Sequence, residues 1–177
     1  MLSDPVKVEV TPQATTVELI DQSVMYVDRA RKKDLLRTLL EKKEFGKVIV
    51  FTRTKHGANR VAEALLKNKI PAEAIHGNKS QGARQRALEN LKTGKIRVLI
   101  ATDIAARGID IDGITHVINY EVPNISESYV HRIGRTARAG TKGIAISFCD
   151  AEEKAFIKDI EKLIGKTIPL VTEQPYH

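Results

Sequence analysis

The chain has 177 residues, enough for one domain that buries roughly 70% of its extended surface and forms a core without staples. A lone cysteine excludes an internal disulfide, and the apolar runs are broken by charges well short of the 18 or more residues of a membrane span. The formal charge of +7, from 29 Lys and Arg against 22 Asp and Glu, favours an anionic partner and salt-sensitive binding to nucleic acid.

Residues 1–20, with Pro5, Pro12 and the cluster from Thr11 to Thr16, carry neither a helical nor a strand period and read as a linker or extended lead-in. They also lack the basic-then-apolar order of a secretory signal, so the expectation is a soluble, cytoplasmic protein with no membrane attachment. The compact body is expected over 21–168, with 169–177 as a peripheral tail. Strands are expected at 23–27, 47–51, 72–76, 97–101, 116–120 and 143–148, and helices at 30–43, 55–68, 80–92, 126–134 and 151–164. The runs Val48-Ile-Val-Phe51 and Val98-Leu-Ile-Ala101 are apolar at consecutive positions, which implies burial on both faces of a parallel sheet. The last helix carries Phe156, Ile157, Ile160, Leu163 and Ile164 at helical spacing as core, with Gly165 where a C-terminal cap belongs. Cys149 closes an apolar run and reads as a small buried hydrophobe. Strand and helix in alternation make a three-layer α/β domain with a mainly parallel sheet, whose ligands are expected beyond the carboxyl ends of the strands.

The loops at those ends are polar and basic. After the second strand, Thr52-Arg-Thr-Lys55 opens a helix whose free amides favour an anion, or Thr54 simply caps it. After the third, Gln81 and Arg84 stand three apart on the first turn of a helix and so face one ligand, while His76 reads as a structural end-of-strand residue. After the fourth, Thr102 and Asp103 fit a helix start, Gly108 permits a sharp backbone change, and Asp110 and Asp112 fall on one side of an extended segment. Asp110 is placed to accept from a ribose hydroxyl, or to pair with Arg107 in an acidic turn. No His, Cys and carboxylate set has metal-ligand spacing, so no metal site is expected.

Residues 129–140 repeat arginine every third position, Arg132, Arg135 and Arg138, between glycines. Guanidinium groups stay charged and present planar forks, so clustering three of them without nearby carboxylates points to phosphate, against the plainer reading of a solvated helix end.

Taken together, the run Ala101-Thr-Asp-Ile-Ala-Ala-Arg-Gly-Ile-Asp-Ile111 and the run His131-Arg-Ile-Gly-Arg-Thr-Ala-Arg138 resemble motifs V and VI of the DEAD-box RNA helicases. The run from Val48 to Lys55 resembles motif IV, and that from Gln81 to Arg84 the Gln-x-x-Arg motif, in the same order over residues 22–168. The segment from Phe148 to Lys166 is most similar to the bacterial RhlE-type branch. The resemblance implies the second RecA-like domain of a helicase core that uses ATP with Mg2+, the metal being held mainly by the N-terminal RecA-like domain of the same protein. It implies that Arg135 and Arg138 act as arginine fingers, that Asp110 and Gly108 contact nucleotide, and that His131, Arg132 and Arg107 couple the two domains. It also implies that Arg53, Thr54, Lys55, Gly77, Gln81, Arg84, Thr102 and Asp103 hold the RNA backbone. The family usually has glycine where Ala137 stands, and alanine in its place implies helical rather than left-handed backbone there.

The sequence contains no Gly-x-x-x-x-Gly-Lys-Ser/Thr loop and no Asp-Glu-Ala-Asp run, so it reads as part of a longer enzyme, inactive alone. Two competing readings are a self-sufficient RNA-binding module, which the 5% aromatic content disfavours, and a DNA helicase of the same superfamily.

Overall fold

The structure, a computed structural model, describes residues 17–137 and 142–176. Six strands, β1 (Ile20–Tyr26), β2 (Lys47–Phe51), β3 (Ala72–Ile75), β4 (Val98–Ala101), β5 (Ile114–Asn119) and β6 (Gly143–Cys149), form one sheet in the order β1-β6-β5-β2-β4-β3. Every pairing is parallel. Five helices flank it: α1 (Lys32–Leu40), α2 (Lys55–Lys67), α3 (Gln81–Thr93), α4 (Ser126–Ile133) and α5 (Lys154–Ile164).

The consecutive apolar runs explain the three layers. Val48 and Val50 of β2 pack with Val98 and Ile100 of β4 under α1 and α2, whereas Ile49, Phe51, Leu99 and Ala101 face the other way, toward α3. A third cluster seats α4 and α5 on β1 and β6 through Tyr129, Ile133, Ile157 and Ile160. Both faces of the central strands are therefore dry, as their composition requires.

The expected elements all appear, and their limits differ for local reasons. β1 begins at Ile20, ahead of the expected 23, because Gln22 lies in the interior: it is 4% exposed, and its Oε1 accepts from the Tyr129 hydroxyl at 2.6 Å. A buried glutamine with a dedicated partner looks like a loop residue in sequence. The helices expected at 30–43 and 151–164 each open with a 3-10 turn, Arg29–Arg31 and Ala151–Glu153. Leu163, expected in the core, lies at the edge of the α5 stripe and is 46% exposed. Gly165 ends that helix in the left-handed conformation, φ 74°, its N–H donating to the Glu161 carbonyl. Cys149 is buried, and burial pushes its thiol up to about 12.

Residues 169–176, expected as a peripheral tail, run beside the outer edge of β1. The Val24 N–H donates to Pro169 and its carbonyl accepts from the Val171 N–H, while Gln174 bonds the Tyr26 carbonyl. These contacts occupy an edge that would otherwise present unpaired groups. The lead-in before Val17 and the residue Arg138 lie outside the described residues.

Gly143 is tightly enclosed. A Cβ there would stand 2.3 Å from Thr136 Cγ2 and 2.9 Å from its Cβ, and Thr136 is itself fixed by donating to the Ile114 carbonyl at 2.8 Å. Gly143→Ala is expected to lower the unfolding free energy by about 1–3 kcal/mol through overpacking, read as a fall in the urea midpoint with an unchanged slope.

Candidate active site

Because every strand is parallel, the loops after β2, β3, β4, β5 and β6 open on one rim. The connection leaving β2 runs toward β3 and that leaving its neighbour β5 runs the opposite way toward β6, so a crevice opens between the carboxyl ends of β2 and β5.

On the loop after β2, Thr54 caps α2, its Oγ1 accepting from the Gly57 N–H at 3.0 Å, and Lys55 is exposed beside it. Arg53 does not point outward as expected of an RNA ligand. Its Nη2 donates to Glu153 at 2.5 Å, its backbone N–H donates to Glu121 at 2.7 Å, and its guanidinium lies over the Phe156 ring. Glu153 is 1% exposed and also accepts from Lys32 Nζ at 2.6 Å and from the Val122 and Asp150 N–H groups. A buried carboxylate satisfied from four sides holds its partners strongly, so the charge of Arg53 is directed inward.

On the loop after β3, Gly77 is exposed, with open space where a side chain would stand. His76 is buried. The Asn78 N–H donates to its Nδ1, which places the ring proton on Nε2, donating to Asn59 Oδ1 at 3.0 Å. It is thus a structural residue. Burial, reinforced by Lys79 and Lys55, lowers its pKa; burial likewise lowers that of His116, stacked on Phe45 at 3.8 Å. Both are held neutral in the fold and free to protonate when unfolded, so the unfolded chain binds more protons below its pKa of about 6.5. Stability is expected to be full above that value and to fall as pH drops beneath it. Urea midpoints at about pH 7.5 and about pH 5.5 check this, and His76→Gln should flatten the difference.

Ser80 caps α3, and Gln81 projects into solvent from its first turn. Arg84 turns under the helix instead, donating from Nη1 to Gln81 Oε1 at 3.1 Å and from Nη2 to the Ala105 carbonyl at 2.7 Å. The two share a contact with each other rather than a common outward face.

The segment after β4 is not the helix that Thr102 and Asp103 were expected to start. It is a series of turns over 103–108, with the Ala106 N–H bonding the Thr102 carbonyl and the Ile109 N–H that of Ala106. Gly108, φ 75°, ends it in a left-handed conformation that a Cβ would penalise by roughly 1–2 kcal/mol. Ile109 and Ile111 are then buried, which leaves Asp110 and Asp112 exposed on the other side.

Three arginines are expected to project together from α4 and the turn after it; Arg138 lies outside the described residues, and the structure gives the other two different surroundings. Arg132, expected to couple domains, is 1% exposed and bonds within this domain. Its Nε and Nη2 grip both oxygens of Asp103 at 2.6 and 2.9 Å, and its Nη1 donates to the Glu121 carbonyl at 2.7 Å. The carboxylate absent from the local sequence is supplied 29 residues away. Asp103 is thereby committed to Arg132 through both oxygens, which disfavours its carboxylate as an RNA contact. Arg135 is half-buried, with Nη1 donating to the Ile109 carbonyl at 2.8 Å. Ala137 lies in a bend beyond α4, without positive φ, rather than in helix. A cleft of about 280 Å³ is lined by Phe51, Asp103, Ile104, Arg107, Gly108, Ser128, His131, Arg132 and Arg135. Its volume is just under the roughly 300 Å³ at which ligand pockets begin, so it forms one wall of a site. Arg107, Arg135 and His131 stand on that wall, and its one carboxylate is already paired, a lining that fits a polyphosphate. No group of three potential metal ligands exists among the described residues.

The family model described as the helicase conserved C-terminal domain matches residues 31–140. The chain belongs to that family. This helicase C-terminal domain is 45% identical over 172 residues to the DEAD-box ATP-dependent RNA helicase CshA of Bacillus subtilis, covering 97% of the chain and 35% of the relative. It thus spans about a third of the length of that curated relative. Among solved structures, the domain resembles the E. coli DEAD-box protein SrmB bound to regulator of ribonuclease activity A, at 34% identity and TM-score 0.79, covering 89% of this chain and 97% of that one. It also resembles S. cerevisiae Dbp5 bound to RNA and ADP BeF3, at 34% identity and TM-score 0.81, covering 87% of this chain and 42% of that one. The six-stranded parallel sheet is the RecA-like fold of DEAD-box C-terminal domains. No described helix of this helicase domain is long and apolar enough to cross a membrane.

Sequence reasoning missed Lys32, Glu121 and Glu153, which hold Arg53 and the rim loops in place. A signal for Glu153 existed: Asp150 and Glu153 form a reciprocal capping box, the Asp-x-x-Glu spacing that precedes a helix. Nothing in the sequence distinguishes Lys32 from its solvated neighbours.

Proposed function

We propose that the chain is the second RecA-like domain of an ATP-dependent DEAD-box RNA helicase and supplies Arg135 to a nucleotide bound between it and an N-terminal RecA-like domain. The observation that carries this reading is the seat of Arg135. Its guanidinium is anchored on the Ile109 carbonyl, beside Gly108 and Asp110, at the margin of a cationic cleft. There it would meet charge developing on a transferred phosphoryl group, and Asp110 would accept from the ribose. Arg138 is kept as a second finger on the resemblance alone. ATP supplies the phosphoryl group, and the Mg2+ that accompanies it would be held by the N-terminal domain. His131 and Arg107, both exposed at the cleft, would meet that domain.

RNA would lie along the rim formed by Thr54, Lys55, Gly77, Gln81 and Thr102, which offer backbone N–H groups, an amide, hydroxyls and one charge. Such groups bond the sugar-phosphate backbone and predict low sequence specificity. Closure of the two domains is driven insofar as ATP and RNA both bind the closed state better. Membership of the RhlE-type branch rests on the closing segment from Phe148 to Lys166. The test compares ATP turnover with and without RNA by this chain and by the full-length protein. The chain alone is expected to show none and the full-length protein RNA-stimulated turnover; turnover by the isolated chain would overturn the reading.

A further inference from the structure

The turns over 103–108 carry Arg107 and Gly108 to the nucleotide-facing cleft, and three arginines, from α3, from α4 and from the turn after α4, hold this stretch. Arg132 grips the Asp103 carboxylate, Arg135 bonds the Ile109 carbonyl just beyond, and Arg84 reaches from α3 to the Ala105 carbonyl at 2.7 Å. Arg84 is the one that comes from the RNA-facing rim. Its other terminal nitrogen bonds Gln81, whose amide faces solvent one helical turn away.

An arginine that serves phosphate offers two parallel N–H groups from one edge of its fork. Both terminal nitrogens of Arg84 are already engaged within the domain, Nη1 on Gln81 and Nη2 on Ala105. Its Nε is covered, without a hydrogen-bond partner, and Nη2 beside it is spent on Ala105. Meeting a phosphate with that edge would break the bond to the turn. Gln81 keeps its NH2 group available while its oxygen steadies Arg84, so a phosphate drawn to Gln81 would tighten the same chain of contacts.

We propose that Arg84 is a positioning residue that ties the RNA-facing rim to the nucleotide-facing turn, with Gln81 making the phosphate contact. This rests on the reading that the rim takes RNA and the cleft takes ATP. Occupancy of Gln81 fixes Arg84, Arg84 fixes Ala105, and the turn presents Arg107 and Gly108 in one arrangement. Coupling between two ligands is reciprocal, so it is measurable from either side.

The experiment uses the full-length protein and a single-stranded RNA oligonucleotide, with and without a non-hydrolysable ATP analogue, across a salt series. In Arg84→Ala the factor by which the analogue tightens RNA binding is expected to fall at least about fivefold, the low end of ordinary coupling. RNA affinity without nucleotide should change less than about threefold, and the slope of log affinity against log salt should stay constant, since no phosphate contact is lost. Arg84→Lys keeps one donor for the Ala105 carbonyl and should recover part of the coupling, which separates positioning from general loosening of the domain. A salt slope reduced by about 0.7, the value of one phosphate on a single strand, with coupling intact would make Arg84 an RNA ligand and overturn the proposal. Unchanged coupling and unchanged slope would overturn it equally. If the unaltered protein shows no coupling between RNA and the analogue, the parent reading falls with it.

Discussion

Arg135→Ala in the full-length protein is expected to lower RNA-stimulated ATP turnover by at least about a hundredfold while ATP still binds. A hundredfold corresponds to about 2.7 kcal/mol of lost transition-state stabilisation, well within what a donor aimed at developing phosphoryl charge supplies. The side chain is prepared for that task before any ligand arrives. Nη1 is fixed on the Ile109 carbonyl and Nε lies 3.3 Å from the His131 carbonyl, so the fork is oriented without fresh ordering at the moment of reaction. Arg135→Lys retains the charge and loses the fork, and should fall between the two, because a point charge does not replace planar bidentate geometry. The substitution removes the contacts to the Ile109 and His131 carbonyls from a half-buried residue, about 0.5–1.5 kcal/mol each, so the protein should remain folded. Single-turnover ATP hydrolysis at saturating RNA is the measurement. Wild-type turnover in Arg135→Ala would assign the cleft arginines to RNA binding or structure and remove the mechanism at its centre.

What the sequence could reveal was governed by range. The parallel sheet was legible because Val48-Ile-Val-Phe51 and Val98-Leu-Ile-Ala101 need no partner to be read: four consecutive apolar residues have only doubly covered positions open to them. The rim was legible because a parallel sheet sends every strand end the same way. The roles of individual arginines were not, since Arg132, Arg135 and Arg138 share one spacing and one chemistry. Only the fold brings Asp103 to Arg132 and the Ile109 carbonyl to Arg135, across separations of 29 and 26 residues. The partners of Arg53 and Arg84 were hidden for the same reason. Each stands where a phosphate ligand would stand, and each is turned inward by an acceptor remote in sequence, Glu153 or the Ala105 carbonyl.

Glu153→Ala is expected to lower the unfolding free energy of the 177-residue chain by about 3–5 kcal/mol, the cost of leaving a buried charge without its partner. The carboxylate joins four segments: Lys32 at the start of α1, Arg53 after β2, the Val122 N–H after β5 and the Asp150 N–H after β6. Lys32 is only 2% exposed, and without Glu153 its ammonium retains only Asp150, at 3.7 Å, as an ion-pair partner. The two N–H groups would lose their acceptor as well. Lys32→Met should cost less, because Glu153 keeps Arg53 and both N–H donors. The double variant Lys32→Met with Glu153→Ala should then lose less than the sum of the single losses by at least about 1 kcal/mol, since neither member of the buried Lys32–Glu153 pair remains to be stranded. Urea unfolding of the four proteins closes the cycle. Additive losses, or a Glu153→Ala effect below about 1 kcal/mol, would mean that water reaches this carboxylate and that the rim loops are held by their backbone contacts alone.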